Sequence, residues 1–211
     1  MDKDELEEFA RKMGEPGPNE EAFYARRRVL AVGSGLDEDG NLIVQTGRAF
    51  VDFEASSLSS VSWPIEVGIS WLENGKVVAH SRLIKPRPEW PKEDWNQESA
   101  DVHGIPKSEL EAAEPADEVS QWFLETLGNR VPVSDAPEFD QRWMDRLLGV
   151  PGPIIDDFDR LLWAAFSKQD GKVAPGRLHH AYKNLQSRKT VHRAGDDAAN
   201  LCYAWRAGLG K

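Results

Sequence analysis

The alternation of apolar and polar residues in Ala49-Phe50-Val51-Asp52-Phe53-Glu54 predicts a β-strand over 48–54. Residues i and i+2 of a strand share a face, so Asp52 and Glu54 project together while Val51 and Phe53 enter the opposite layer. Strands are also predicted over 65–72 and 76–84. Asn74-Gly75 between them is a two-residue hairpin signal, which makes the first three strands an antiparallel meander. Short apolar runs predict strands over 131–134 and 154–155. Apolar residues at helical spacing predict helices over 108–127, 137–148, 157–167, 178–186 and 194–207, the first opened by a Ser108/Glu111 capping box. A meander followed by alternating strands and helices implies an α/β fold, a mixed five-stranded sheet flanked by helices. Upstream, Leu6, Phe9, Ala10 and Met13 predict a short helix over 4–13, ended by Gly14-Glu15-Pro16-Gly17-Pro18-Asn19. Extended segments over 28–32 and 41–44 flank an Asp37-Glu38-Asp39-Gly40 turn, and Gly33-Ser34-Gly35 reads as a turn. The expected organisation is an N-terminal extension, 1–47, and a main domain, 48–211.

Helical phase sorts the downstream acids. In 137–148 the residues Phe139, Trp143, Met144 and Leu147 define the apolar side, and Asp140 borders it one turn before Trp143. Asp145 lies about 200° from Trp143 at roughly 100° per residue and reads as a solvated charge. Asp135, before Ala136-Pro137-Glu138, reads as a helix N-cap in preference to a metal ligand. In 194–207 the stripe Ala194, Ala198, Leu201, Trp205 is flanked by Asp197, while Asp196 points nearly opposite Ala198. His192 precedes Asp197 by five residues, about 140° on a continuous helix, so it belongs to the approaching loop and reaches the same site from there.

Two carboxylates crowded on one strand resist joint ionisation, and buried acids need a partner or a metal. Four inward-biased acids, Asp52, Glu54, Asp140 and Asp197, with one adjacent loop histidine suit divalent-metal hydrolysis. His192 suits general-base work because an imidazole titrates near neutrality.

Composition narrows the setting. A chain of 211 residues fits one domain with an appendage. No stretch reaches the roughly 20 apolar residues of a membrane span, and the charged Met1-Asp2-Lys3-Asp4-Glu5 lacks a signal-peptide apolar region. The single cysteine, Cys202, sits in an apolar helical pattern. A cytoplasmic location is expected. Net charge is −10, yet 160–211 holds 10 Lys/Arg against 3 Asp/Glu, while 1–159 holds 16 against 33. The C-terminal quarter is therefore basic, which reads equally as a local attraction for a polyanion and as a solvated surface of uneven charge.

These residues resemble the DEDDh exonucleases, the DnaQ-like or RNase T-like 3′–5′ exonuclease family. Val51-Asp52-Phe53-Glu54-Ala55-Ser56 is similar to the first motif, and Pro64-Ile65-Glu66-Val67-Gly68 to the second strand. His103-Gly104-Ile105 resembles a His-Gly-Ile segment after the third strand. Glu138-Phe139-Asp140 with Leu147-Leu148 resembles the second exonuclease motif, and His192-x-Ala194-x-x-Asp197 the third in its His-containing form. The resemblance covers about 48–208 and rests on the order and spacing of the motifs. It implies an RNase H-like fold, two Mg²⁺ or Mn²⁺ ions held by Asp52, Glu54, Asp140 and Asp197, and His192 as general base. The implied product is a nucleoside 5′-monophosphate released from a 3′ end. Relatives often carry Asn four residues before the motif-two Asp; Ala136 stands there, with Asp135 beside it.

By the same resemblance Ala55, Ser56, Ser57 and Leu58 line the terminal nucleotide, with His103 nearby, and Phe53 is core. Trp63, Trp90 and Trp95 are candidate stacking platforms, at least two of them expected to be packing residues. In 178–183, His180 or Lys183 near a phosphate is weighed against a helix packed through Leu178, Tyr182 and Leu185, and the latter is preferred. The acidic body lacks the basic surface of a long-duplex binder, which favours single-stranded RNA or short oligonucleotides over DNA. The alternatives are a DNA exonuclease and a non-catalytic module that binds nucleic acid or protein. A homodimer is kept as a candidate assembly.

Overall fold

The computed structural model describes residues 47–166 and 176–210; the expected elements over 4–13, 28–32, 37–40 and 41–44 lie outside them. Strands β1 (Arg48–Ala55), β2 (Pro64–Glu73) and β3 (Lys76–Lys85) form the antiparallel meander. Asn74 (φ +50°) and Gly75 (φ +78°) turn the β2–β3 hairpin, both in the left-handed region that such a turn requires. Helices α1 (Gln97–His103) and α2 (Lys107–Ala112) follow, then β4 (Glu114–Pro115), α3 (Ala116–Leu127), β5 (Val131–Ser134) and α4 (Pro137–Leu148). The described chain ends with β6 (Asp156–Asp157), α5 (Phe158–Phe166), α6 (Arg177–Gln186) and α7 (Ala194–Gly208). The sheet order is β4-β3-β2-β1-β5-β6, with β5 parallel to β1 and β6 parallel to β5.

The mixed α/β sheet flanked by helices is therefore present, with six strands instead of five. The added strand, β4, splits the helix expected over 108–127. Pro115 lacks an N–H and drives Glu114 out of the helical region, so the chain pairs briefly with Ile84 and Lys85 before α3 starts. The Ser108 capping box does not form: α2 begins at Lys107 after Pro106, with no side-chain cap. Helix α1, absent from the sequence reading, is capped by Asn96, whose side chain accepts the Ser99 N–H at 3.1 Å, and stopped by Gly104 at φ +66°. The last strand is Asp156–Asp157, not 154–155, because the Ile155 N–H donates to the Gln141 side chain at 2.9 Å instead of to a ladder.

Each sheet face carries its own core. Val51, Phe53, Ile65, Val67 and Ile69 pack with Phe123 of α3 and Trp143, Met144 and Leu147 of α4. Phe50 packs with Phe158, Leu162 and Phe166 of α5 and with Leu201 and Cys202 of α7. Asp52 and Glu54 continue the Phe50 face toward the C-terminal end of β1, where the apolar core stops.

Candidate metal centre

The register of β1 on β2 puts Asp52 opposite Gly68 and Glu54 opposite Glu66. Cross-strand partners share a face, so this corner of the sheet presents three carboxylates and one residue without a side chain. Gly68 leaves room for the start of α7: a Cβ there would sit 2.0 Å from the Ala194 carbonyl oxygen. Glu66 is 1% exposed and grips that helix start. Its carboxylate accepts two bonds from the Arg193 guanidinium, both 2.9 Å, and one from the Ala194 N–H at 3.0 Å. The buried acid in β2 thus docks the first turn of α7, and with it Asp197, beside Asp52 and Glu54.

One ligand atom each from Glu54, His192 and Asp197 lies within 4.8 Å of the others. His192 sits two residues before α7, on the loop as expected, and is exposed. Its φ of +54° is uncommon for a residue with a Cβ and aims the imidazole back over the carboxylates. Asn200, one turn along α7, donates to Asp197 Oδ1 at 3.3 Å. Asp196 is exposed.

Helix α4 brings the fourth acid. Asp140 is 1% exposed and takes a hydrogen bond from the buried Ser134 hydroxyl at the end of β5. The Ser134 oxygen also accepts the Ala136 N–H at 2.9 Å. Helix α4 begins after Ala136 with no side-chain cap, so the N-cap reading of Asp135 is corrected. The Asp135 residue reaches solvent while its carboxyl faces the acidic cluster, and burial and Asp197 raise its pKa. Asp145 is not a free solvated charge either; it accepts the Gly152 N–H at 2.8 Å and Gln141 Nε2 at 2.9 Å, holding the turn after α4.

The electrostatics of the cluster are one-sided. Burial, then the charges of Asp140, Glu54, Asp135 and Asp197, hold the Asp52 carboxyl well above the usual range. Burial likewise raises Asp140, against the Ser134 hydrogen bond. Glu54 is pushed up to about 8 by burial, Asp197 and Glu66, with Arg193 opposing. Arg193 is committed to Glu66, so it does not neutralise the cluster. Crowded hard-oxygen donors with one imidazole at the open side form a donor set that fits a divalent cation.

The loop after β1 is tied down by a residue that the sequence reading missed. Asp94 accepts from the hydroxyls of Ser57 and Ser59, both at 2.7 Å, and of Ser56 at 3.4 Å. Ala55, Ser56 and Ser57 are buried, whereas Leu58 is 68% exposed and offers the side-chain surface of the four. Trp63 and Trp90 are buried and stacked at 6.1 Å, with Trp95 at 6.0 Å from Trp63, so the first two are packing residues. His103 is buried, and its Nδ1 accepts the Ile105 N–H at 3.0 Å. Burial lowers its pKa, so near neutral pH the ring is uncharged with its proton on Nε2. That buried Nε2 has no partner among the described residues. The helix 177–186 is packed through Leu178, Tyr182 and Leu185, with His180 and Lys183 exposed.

A mixed sheet of this strand order with helices on both faces is an RNase H-like fold, and solved structures of 3′-exonucleases share it. The chain is similar to E. coli exonuclease I in complex with a dA16 oligonucleotide (TM-score 0.56, 14% identity, 78% of this chain and 41% of that one). It thus spans about two-fifths of exonuclease I. It is also similar to a full-length 3′-exonuclease, and to a 3′-exonuclease in a structure of 3′-end specific recognition of a histone mRNA stem-loop. In both cases the TM-score is 0.53 and the identity 15%, over 77% of this chain and 80% of that one. No family model and no curated protein matches the sequence. Among the described residues no helix is long and apolar enough to cross a membrane.

Proposed function

We propose that this protein is a metal-dependent 3′–5′ exonuclease of the DEDDh type, with residues 48–211 as its catalytic domain and 1–47 as an extension. The observation that carries the reading is the convergence of Glu54, Asp197 and His192 within 4.8 Å, beside the half-buried Asp52 and the buried Asp140, at one corner of an exonuclease fold. Asp52, Glu54, Asp140 and Asp197 hold two Mg²⁺ or Mn²⁺ ions. A bound pair of such ions supplies an activated water and stabilises the attacking and leaving oxygens of an in-line phosphoryl displacement. His192, exposed on the loop before α7, takes the proton of the attacking water. Leu58 meets the terminal base. His103, held by its bond from the Ile105 N–H, supports the substrate site from beneath its surface, and Asp94 keeps the Ser56–Ser59 loop in shape. The product is a nucleoside 5′-monophosphate.

Single-stranded RNA or short oligonucleotides are the favoured substrates, because a body of net charge −10 disfavours a long duplex. DNA is the second reading, favoured by the similarity to an exonuclease bound to dA16. The cytoplasm is the proposed location. The test is incubation with 5′-labelled single-stranded RNA and DNA of equal sequence, with Mn²⁺ or EDTA. A Mn²⁺-dependent ladder shortening from the 3′ end, abolished by Asp140→Ala, is expected. Intact binding with no cleavage of either polymer, or full activity in Asp140→Ala, overturns the proposal.

A further inference from the structure

Residues 176–193 hold five Lys/Arg and no Asp/Glu, whereas the rest of the chain holds 21 Lys/Arg against 36 Asp/Glu. This stretch comprises α6 and the loop that delivers His192. Arg177, His179, His180 and Lys183 are exposed on α6, and Lys189 is exposed on the loop. Two of the five cations are engaged within the protein: Arg193 with Glu66, and Arg188 over the Tyr203 ring at 3.8 Å with a bond to Asn184. Arg177, Lys183 and Lys189 are in none of the ion pairs formed among the described residues.

Two anchors lay this stretch along the rim of the acidic cluster. At one end the Tyr182 hydroxyl donates to Asp159 Oδ1 at 2.6 Å, and the Asp159 carboxylate is close enough to Asp135 to raise its pKa. At the other end Asn200 Nδ2 donates both to Asp197 and to the Lys189 carbonyl, at 3.3 and 3.4 Å. The basic stretch therefore runs from the Asp135 side of the cluster to the Asp197 side, and α6 alone extends about 15 Å. A polyanion nearing an otherwise acidic body is drawn to this rim.

We propose that α6 and the 187–193 loop form the track for the phosphate backbone of a single strand lying 5′ to the cleaved nucleotide, with Arg177, Lys183 and Lys189 as its contacts. The direction of the strand rests on the exonuclease reading; the polyanion track does not. The test is anisotropy of a 5′-fluorescein-labelled single-stranded 12-mer, in RNA and DNA forms, titrated with the full-length protein in EDTA at several salt concentrations. Each phosphate contact on a single strand contributes about 0.7 to the slope of log affinity against log salt. Lys183→Gln/Lys189→Gln is therefore expected to lower the slope by about 1.4 and to weaken binding roughly 10-fold at low salt. The charge-matched control Lys76→Gln/Lys85→Gln, on exposed residues of β3, is expected to keep the parent slope. An unchanged slope in the α6 variant, an equal loss in the control, or no salt-dependent binding by the parent overturns the track. Loss of slope in a protein that cleaves nothing upholds the track and overturns the exonuclease reading instead.

Discussion

Replacing Glu54 by Gln should stabilise the metal-free protein at pH 8, although it removes a group proposed to hold metal. Burial, Asp197 and Glu66 push the Glu54 carboxyl up to about 8, against an ordinary 4.5. Between those values the folded protein keeps the group protonated while the unfolded chain ionises it. The unfolded state then binds fewer protons, so stability falls as pH rises from about 4.5 and the loss is complete above about 8. At about 1.4 kcal/mol per pH unit the ceiling is about 5 kcal/mol. Residual solvent contact of the side chain brings the working figure to about 2–3 kcal/mol. Gln carries the same shape with no charge to expel. In EDTA, Glu54→Gln should match the parent at pH 5 and melt about 5–10 °C higher at pH 8, at roughly 2–4 °C per kcal/mol for a chain of this size. Mn²⁺ should reverse the order, because it binds the folded parent and the variant lacks one ligand. Differential scanning fluorimetry over pH 5–8.5, with EDTA or Mn²⁺, reads both effects. A variant less stable than the parent at pH 8 in EDTA, or an equal Mn²⁺ response in the two proteins, would refute the reasoning.

Three further substitutions separate roles within the same corner. His192→Ala should lower kcat at least 100-fold yet keep most of the Mn²⁺-induced rise in Tm; loss of that rise would make His192 a ligand and not the base. Asp135→Ala should change stability by less than about 0.5 kcal/mol in urea, because α4 starts after Ala136 and takes no side-chain cap. A loss near 1 kcal/mol would restore the capping role. Glu66→Gln breaks the buried end of a pair whose Arg193 side is 41% exposed. It should cost about 2 kcal/mol in urea and weaken Mn²⁺ binding by loosening the first turn of α7. An unperturbed Mn²⁺ titration would show that Glu66 does not position Asp197.

The parts of the fold legible in the sequence are those governed by local rules: the period-2 run of β1, the Asn74-Gly75 turn, and the apolar stripes of α4 and α7. Legibility failed where a single residue's satisfaction depends on a distant partner. The Ser108 capping box has the right spacing, but Pro106 and Pro115 set the helix ends first. Asp135 has the composition of a cap, but α4 starts one residue later, after Ala136, whose own N–H is held by the Ser134 hydroxyl that also bonds Asp140. Asp94 lies 35 to 38 residues from the serines it holds, a separation that no periodicity marks.

Glu66 is the instructive case. It alternates with Ile65 and Val67 and so reads by period as a solvated position, yet the structure buries Pro64 to Ser70 without interruption, and a charge buried there requires a partner. Its companion two residues on, Gly68, is the absent side chain that lets a helix approach. A buried acid and a glycine at i and i+2 on one strand face therefore specify a helix N-terminus docked there. That inference places the first turn of α7, and hence Asp197, over Asp52 and Glu54 before any ligand chemistry is invoked. The acidic corner is held together by packing and by the Glu66–Arg193 pair, and not by the groups it crowds. Burial favours the uncharged forms of the Asp52, Glu54 and Asp140 carboxyls, so on the proposed function a bound cation would have to displace protons from that corner.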